Sequence, residues 1–340
     1  MAVEPSSVPN FDNLPHVQGM PPGCAWGIFD HGGKKDLVGT LNFLTPKIVK
    51  SAASEVKQGV SISLNWPLNA ISKVKAFKRA KPKHNILYLP ETSSLSTKVK
   101  SWDDELEINT QDSSQWDSLV HIHHYPTNMV YNGLTPDKQL LNVESTEENV
   151  LPTLDHWHMR GGLVGRGVLV DYKAYADATG VPFDPFDGTA IGIPDLEACI
   201  KHFGIDIRPG DILVLRTGTT EALENVATHQ PSYSQMSGLE SSPEMARWIW
   251  DHRFAAVASD TFALEAINTL RADGSVDGME RMILHHYLLG MFGMPIGELF
   301  DLKRLSEYAH KVKQYTFLLT SVPLNHPGLV GSPANAVAIF

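Results

Sequence analysis

The chain has 340 residues, 42% of them hydrophobic and 19% charged, which is ample apolar material for the core of a globular protein. Its 28 Lys and Arg against 38 Asp and Glu give a formal charge of −10. Such a surface repels phosphate backbones and anionic lipid, so neither nucleic acid nor membrane is an expected partner.

Two cysteines, Cys24 and Cys199, form no CxxC and exclude a disulfide framework or a thiolate metal site. There is no basic-then-apolar leader at the N-terminus. No apolar run nears the roughly 20 residues that span a bilayer, so the expected location is the cytoplasm.

Residues 1–30 are rich in Pro, Gly and Asn and read as an extended arm that wraps or orders on a neighbour. Thr45-Pro46 then opens a helix, a Thr cap followed by Pro at the first helical position, with Ile48, Val49, Ala52, Ala53 and Val56 on one face. Val60–Leu64 alternates as a strand does. Residues 67–103 are polar and Pro-bearing and predict a long irregular excursion, including the basic run Lys73 to Lys83, read as a solvated loop. Glu105–Asn109 is a second alternating strand that leads into residues 111–121. Further on, 165–171, 211–215 and 254–258 are apolar runs bounded by turn residues and predict buried strands. Helices are expected over 196–203, 242–250 and 281–290, and a late strand over 316–320. Strands interleaved with helices define an α/β class.

GxSxG, HExxH and the P-loop pattern are all missing from the sequence. The glycines of 161–167 precede their strand, where a dinucleotide loop would follow one, and read as a tight turn. The chemistry concentrates elsewhere. Asp117 and His121 lie four apart, which on a helix puts them on one face, close enough to share an ion or a water. His285 and His286 cannot both enter one site from a helix, since adjacent side chains diverge by about 100°, so one is expected to bond a backbone carbonyl. Glu298 follows a Gly-Met-Pro-Ile-Gly turn that swings it back toward the histidines. Carboxylate oxygens and imidazole nitrogens suit Zn²⁺ or Mn²⁺. His156 with His158, and His123 and His124 in the run His121-Ile-His123-His124, are further candidates, with core or surface histidine as the plainer alternative. Asp260, at the carboxyl end of a buried strand, is either a functional group or a cap.

These residues sit in a set of ordered motifs: residues 39–46, 63–68, Gln115-Trp-Asp117 to His121, Tyr131-Asn-Gly133, 161–171, 210–218, Ser259-Asp-Thr261, and His285-His286 to Glu298. Together they resemble the putative cyclase family, which includes proteins like kynurenine formamidase and isatin hydrolase. The resemblance implies a single domain over 31–340, of layered β/β/α (swivelling) type with mixed sheets and flanking helices, and a homodimer or larger assembly. Formamidase-like members carry His-x-Gly-Thr-His-x-Asp-x-x-x-His. On this chain the Asp falls on Asp117 and the last His on His121, but the first two histidines become Gln111 and Gln115. Two outcomes stay open. Either one ion sits on Asp117, one of His285 and His286, and Glu298, with Gln115 or Gln111 as weak amide ligands, or the ion is lost.

The activity implied is metal-dependent hydrolysis of a small amide, cyclic amide or lactone, with His121 as general acid and base and Trp116, Tyr131 and Asp260 around the substrate. A cyclase, lyase or isomerase reaction at the same residues, or a metal-free binding protein, are the alternatives.

Overall fold

Strands with no polar face must be covered on both sides, and three such runs form the middle of the molecule. The computed structural model describes residues 3–73, 81–92, 100–225, 235–268 and 278–340. Its principal sheet has nine strands, in spatial order Ser61–Ser63, Ala336–Ile339, Thr316–Ser321, Leu163–Asp171, Ile212–Arg216, Ala256–Ser259, Ile296–Glu298, Gln115–Asp117 and Gly331–Pro333. Leu163–Asp171, Ile212–Arg216, Ala256–Ser259 and Ile296–Glu298 run parallel, while the pairings beyond them on both sides are antiparallel. The result is a large curled mixed sheet with flanking helices.

Capping chemistry starts the helices where the sequence indicates. Thr45 accepts from the Ile48 amide at the head of Pro46–Ala52, although Ala53 and Val56 at its far end are exposed. Ser242 does the same for Met245 at the head of Pro243–Asp251, whose Met245, Ala246, Ile249 and Trp250 are buried. The helix expected at 196–203 begins earlier, as Ile193–His202, with Pro194 in its first turn.

The N-terminal arm packs on its own chain. The Phe11 amide donates to Asp251 Oδ1 at 2.8 Å, Trp250 Nε1 donates to the Pro9 carbonyl at 3.0 Å, and Arg253 donates to the Val8 carbonyl at 2.9 Å. Val8, Phe11, Met20 and Phe29 thereby join the main core.

The excursion at 67–103 is not wholly irregular. Lys83–Tyr88 pairs antiparallel with Trp102–Glu107, which also places the second strand earlier than expected. Both strands are mostly exposed, so no buried face marks them in the sequence. Of the basic run, residues 74–80 lie outside the described residues, and Lys83 pairs with Glu107 at 2.8 Å. Among the described residues no helix is long and apolar enough to cross a membrane.

Candidate metal centre

Gln115, Trp116 and Asp117 form a short strand, not the first turn of a helix. It pairs antiparallel with Ile296–Glu298, Gln115 opposite Glu298 and Asp117 opposite Ile296. Side chains alternate along a strand, so Gln115, Asp117 and Glu298 share one face and Trp116 takes the other. Trp116 is fully buried there, donating to Ser321 Oγ at 2.9 Å and packing on Trp157 and Phe300, so it is a core residue and not a substrate wall.

The expected helix over 281–290 is a short α-helix, Ile283–His285, continuing as a π-helix over His286–Phe292. The two histidines diverge. His285 Nε2 lies 3.2 Å from Glu298 Oε1, while His286 Nδ1 meets the His123 carbonyl at 3.0 Å. Asp117, His285 and Glu298 are buried, and each offers one ligand atom within 4.8 Å of the other two.

The sequence reading missed Glu265, which lies two residues before the segment 267–268 and carries no motif. Its carboxylate is buried, with Oε1 2.7 Å from His285 Nδ1 and 2.9 Å from the His285 amide. Its Oε2 accepts the Leu284 amide at 2.9 Å and the Ser241 hydroxyl. Glu265 therefore fixes the imidazole with Nε2 turned toward Asp117 and Glu298. A carboxylate behind a ligating histidine is the usual second layer of a metal site, and only proximity in the fold reveals it.

The two glutamines complete the ring from the strand side. Gln111 Nε2 donates to Asp117 Oδ1 at 2.6 Å, and Gln115 Nε2 donates to Glu298 Oε2 at 2.7 Å and to Gln111 Oε1 at 3.0 Å. Neutral amide donors stand where the family motif has histidines, and they hold the carboxylates in place without adding positive charge. Asp117 Oδ2 and Gln115 Oε1 remain buried with no hydrogen-bond partner among the described residues. Buried acceptors of this kind demand a donor or a cation. Burial alone would lower the pKa of His285, but its hydrogen bonds to Glu265 and Glu298 and their charges outweigh this and raise it to about 10. The site is thus built to hold positive charge, and an Asp–His–Glu set of N and O donors suits Zn²⁺ or Mn²⁺.

His121 reaches this group by a turn. The His121 amide donates to the Ser118 carbonyl at 3.0 Å, folding the chain back at the end of the strand. Its Nε2 lies 3.8 Å from Asp117 Oδ1, and 24% of its side chain is exposed, whereas Asp117 is wholly covered. The proximity expected from a helix is produced instead by a strand and a turn.

The remaining candidates serve the scaffold. Tyr131 is buried, its hydroxyl donates to Asp36 Oδ2 at 3.2 Å, and its ring lies against Gly293. Asp260 accepts the Thr217, Gly218 and Thr219 amides at 2.7–3.1 Å and closes the loop after Ile212–Arg216, so it acts as a backbone cap and not as a substrate ligand. Burial pushes its pKa up to about 6 even against these donors. His123 pairs with Asn128, His124 with Thr127, and His158 with the Pro323 carbonyl.

The mixed α/β fold thus places a buried Asp–His–Glu group, which could hold a metal ion, at the edge of its parallel strands. The family model described as "Putative cyclase" matches residues 54–266, and the chain belongs to that family. A crystal structure of a novel cyclase is similar over 93% of this chain and 99% of its own, with 27% identity and a TM-score of 0.74. Isatin hydrolase A from Labrenzia aggregata, bound to benzyl benzoate, is similar over 86% of this chain and 97% of its own, at 14% identity and a TM-score of 0.55. An isatin hydrolase bound to the product analogue thioisatinate matches 86% of this chain and 95% of its own, at 16% identity and a TM-score of 0.52. At these identities the isatin hydrolases share the fold alone. No curated protein matches the chain.

Proposed function

We propose that the protein is a metal-dependent hydrolase of a small amide, cyclic amide or lactone. The observation that carries this reading is the buried Asp117–His285–Glu298 cluster, its ligand atoms within 4.8 Å of one another, in a fold shared with isatin hydrolases. Asp117, His285 and Glu298 would hold one divalent ion, Zn²⁺ or Mn²⁺, with Gln115 Oε1 as a weak further donor. A bound ion of this type polarises a carbonyl and lowers the pKa of water from 15.7 toward about 7 to 9.

The chain's own residues then supply order and proton transfer. Glu265 keeps His285 in one tautomer, and Gln111 and Gln115 keep the two carboxylates from turning away. His121, partly exposed beside Asp117, is placed to take a proton from the attacking water and return it to the leaving nitrogen or oxygen.

A screen of formyl-amides, cyclic imides and lactones on protein loaded with Zn²⁺ or Mn²⁺ tests the reading. His121→Ala should lower kcat by about 10²- to 10⁴-fold while metal content and thermal melting stay unchanged. Full activity in that variant would remove His121 from the mechanism. A metal-free binding protein is the second reading, favoured by the amide donors that already satisfy one oxygen each of Asp117 and Glu298.

A further inference from the structure

A cavity of about 870 Å³ opens beside the short helix His156–Met159. Trp157 of that helix packs on Trp116, the one residue of Gln115–Asp117 that points away from the carboxylates. None of the residues around the cavity belongs to the metal centre. Its volume falls in the range of small-molecule sites.

The walls combine apolar side chains such as Val49 and Val164 with Lys34, Lys35, Lys50, Arg160 and His156. That is a basic lining in a chain of charge −10. Asp36, the one acidic residue of the lining, is already engaged by the Gly39 amide at 2.6 Å, the Asn42 amide group at 2.8 Å and the Tyr131 hydroxyl at 3.2 Å. Lys35 Nζ is committed to the Asn132 carbonyl at 2.7 Å.

Arg160 feels the charge of Asp36 but makes no direct bond to it. Arg160 is half-buried and donates to the carbonyls of Gly162, Leu41 and Leu44, but to no carboxylate. Burial lowers its pKa, and the charge of Asp36 only partly offsets this. His156 Nε2 is buried with no hydrogen-bond partner among the described residues. Lys34 and Lys50 make no ion pair among them. The lining thus sets Lys34, Lys35, Lys50 and Arg160 against the single carboxylate of Asp36, an excess of positive charge that an anion would meet.

We infer that this cavity is a second binding site, which takes a small carboxylate with an apolar or aromatic body. The carboxylate meets Arg160 and His156, and the body lies on the aliphatic wall. A guanidinium recognises the planar two-oxygen group better than a lone positive point does. The proposal stands independently of the hydrolase reading, because it uses none of the same side chains.

Benzoate and its neutral isostere benzamide, titrated calorimetrically at low ionic strength into the full chain stripped of metal by chelator, test it. Benzoate should bind at least about tenfold more tightly than benzamide, and its affinity should fall as salt is raised. Arg160→Met should abolish the preference, and the doubly substituted Lys34→Glu, Lys50→Glu chain should weaken benzoate by roughly fivefold or more. The lysine variant is exposed and tests the site even if Arg160→Met fails to fold. Asp117→Asn should leave benzoate binding intact. Absence of binding, equal affinity for acid and amide, or benzoate affinity lost with Asp117→Asn but kept in the lysine variant would each overturn the inference.

Discussion

Glu265 makes no contact with the substrate side of the proposed centre, yet it decides which nitrogen of His285 faces Asp117 and Glu298. Glu265→Gln keeps the size and much of the hydrogen bonding but loses the charge that makes the imidazole a strong ligand. Metal affinity should fall about 10- to 100-fold, measured by competition with a chromogenic chelator, with little change in far-UV circular dichroism. An unchanged affinity would make Glu265 a helix cap and nothing more.

The pH dependence of metal binding follows from the same residue. Without an ion, His285 holds a proton up to about pH 10, because its hydrogen bonds to two glutamates outweigh the lowering effect of burial. An ion must displace that proton, so affinity should rise with pH across the neutral range, and binding should release a proton. Calorimetry in buffers of different ionisation enthalpy measures the release. Affinity independent of pH would mean that the ion does not use His285.

At this scale the sequence was partly legible. Asp117, His121, His285 and Glu298 stand in motifs, and their types suit a metal site. Trp116 did not reveal its direction, because that depends on whether residues 115–117 are strand or helix. Asp260 looked functional for its position and Tyr131 as an aromatic wall for the substrate, and both bond scaffold groups that sequence does not place nearby.

Among the elements, the pairing of Gln115–Asp117 with Ile296–Glu298 carries the site, and Gly297 permits it. A Cβ there would lie 2.9 Å from Ala258 Cβ and 3.0 Å from both Phe300 and Trp116, atoms of the packed core. Gly297→Ala should destabilise the fold by about 1 to 3 kcal/mol and loosen the register between Asp117 and Glu298. Urea denaturation measures the first effect and metal affinity the second. A variant equal to the parent in both would show that the strands have slack. The central strands were easy to anticipate because burial on both sides leaves long apolar runs. Lys83–Tyr88 was not, because a surface ribbon needs no such pattern. The π-helix carrying His286 leaves no periodic trace in seven residues.

Across the whole molecule, one buried carboxylate ties the sheet to the late helix Lys303–Val312. Asp171 receives His310 Nε2 at 3.0 Å and Arg216 at 2.7 Å, together with the Ser306 hydroxyl. Burial alone would raise its pKa, but the His310 hydrogen bond, the Arg216 charge and the Ser306 hydroxyl pull it down from 3.8 to about 2. A carboxylate whose folded pKa is depressed stabilises the protein above its unfolded value, and the benefit is lost as pH falls from about 4 through about 2. The contribution is about 2 kcal/mol. Asp171→Asn should therefore lower stability at pH 7 and flatten the loss between pH 4 and 2 in urea titrations. An identical acid limb in both proteins would assign acid sensitivity elsewhere.

The central claim is that Asp117, His285 and Glu298 together hold an ion. Elemental analysis of the purified chain, produced with Zn²⁺ and Mn²⁺ available and compared with Asp117→Asn, tests it most directly. The account predicts about one equivalent of divalent metal in the parent and a small fraction of that in the variant, both folded. A folded parent without metal, or a variant that retains it in full, would contradict the account.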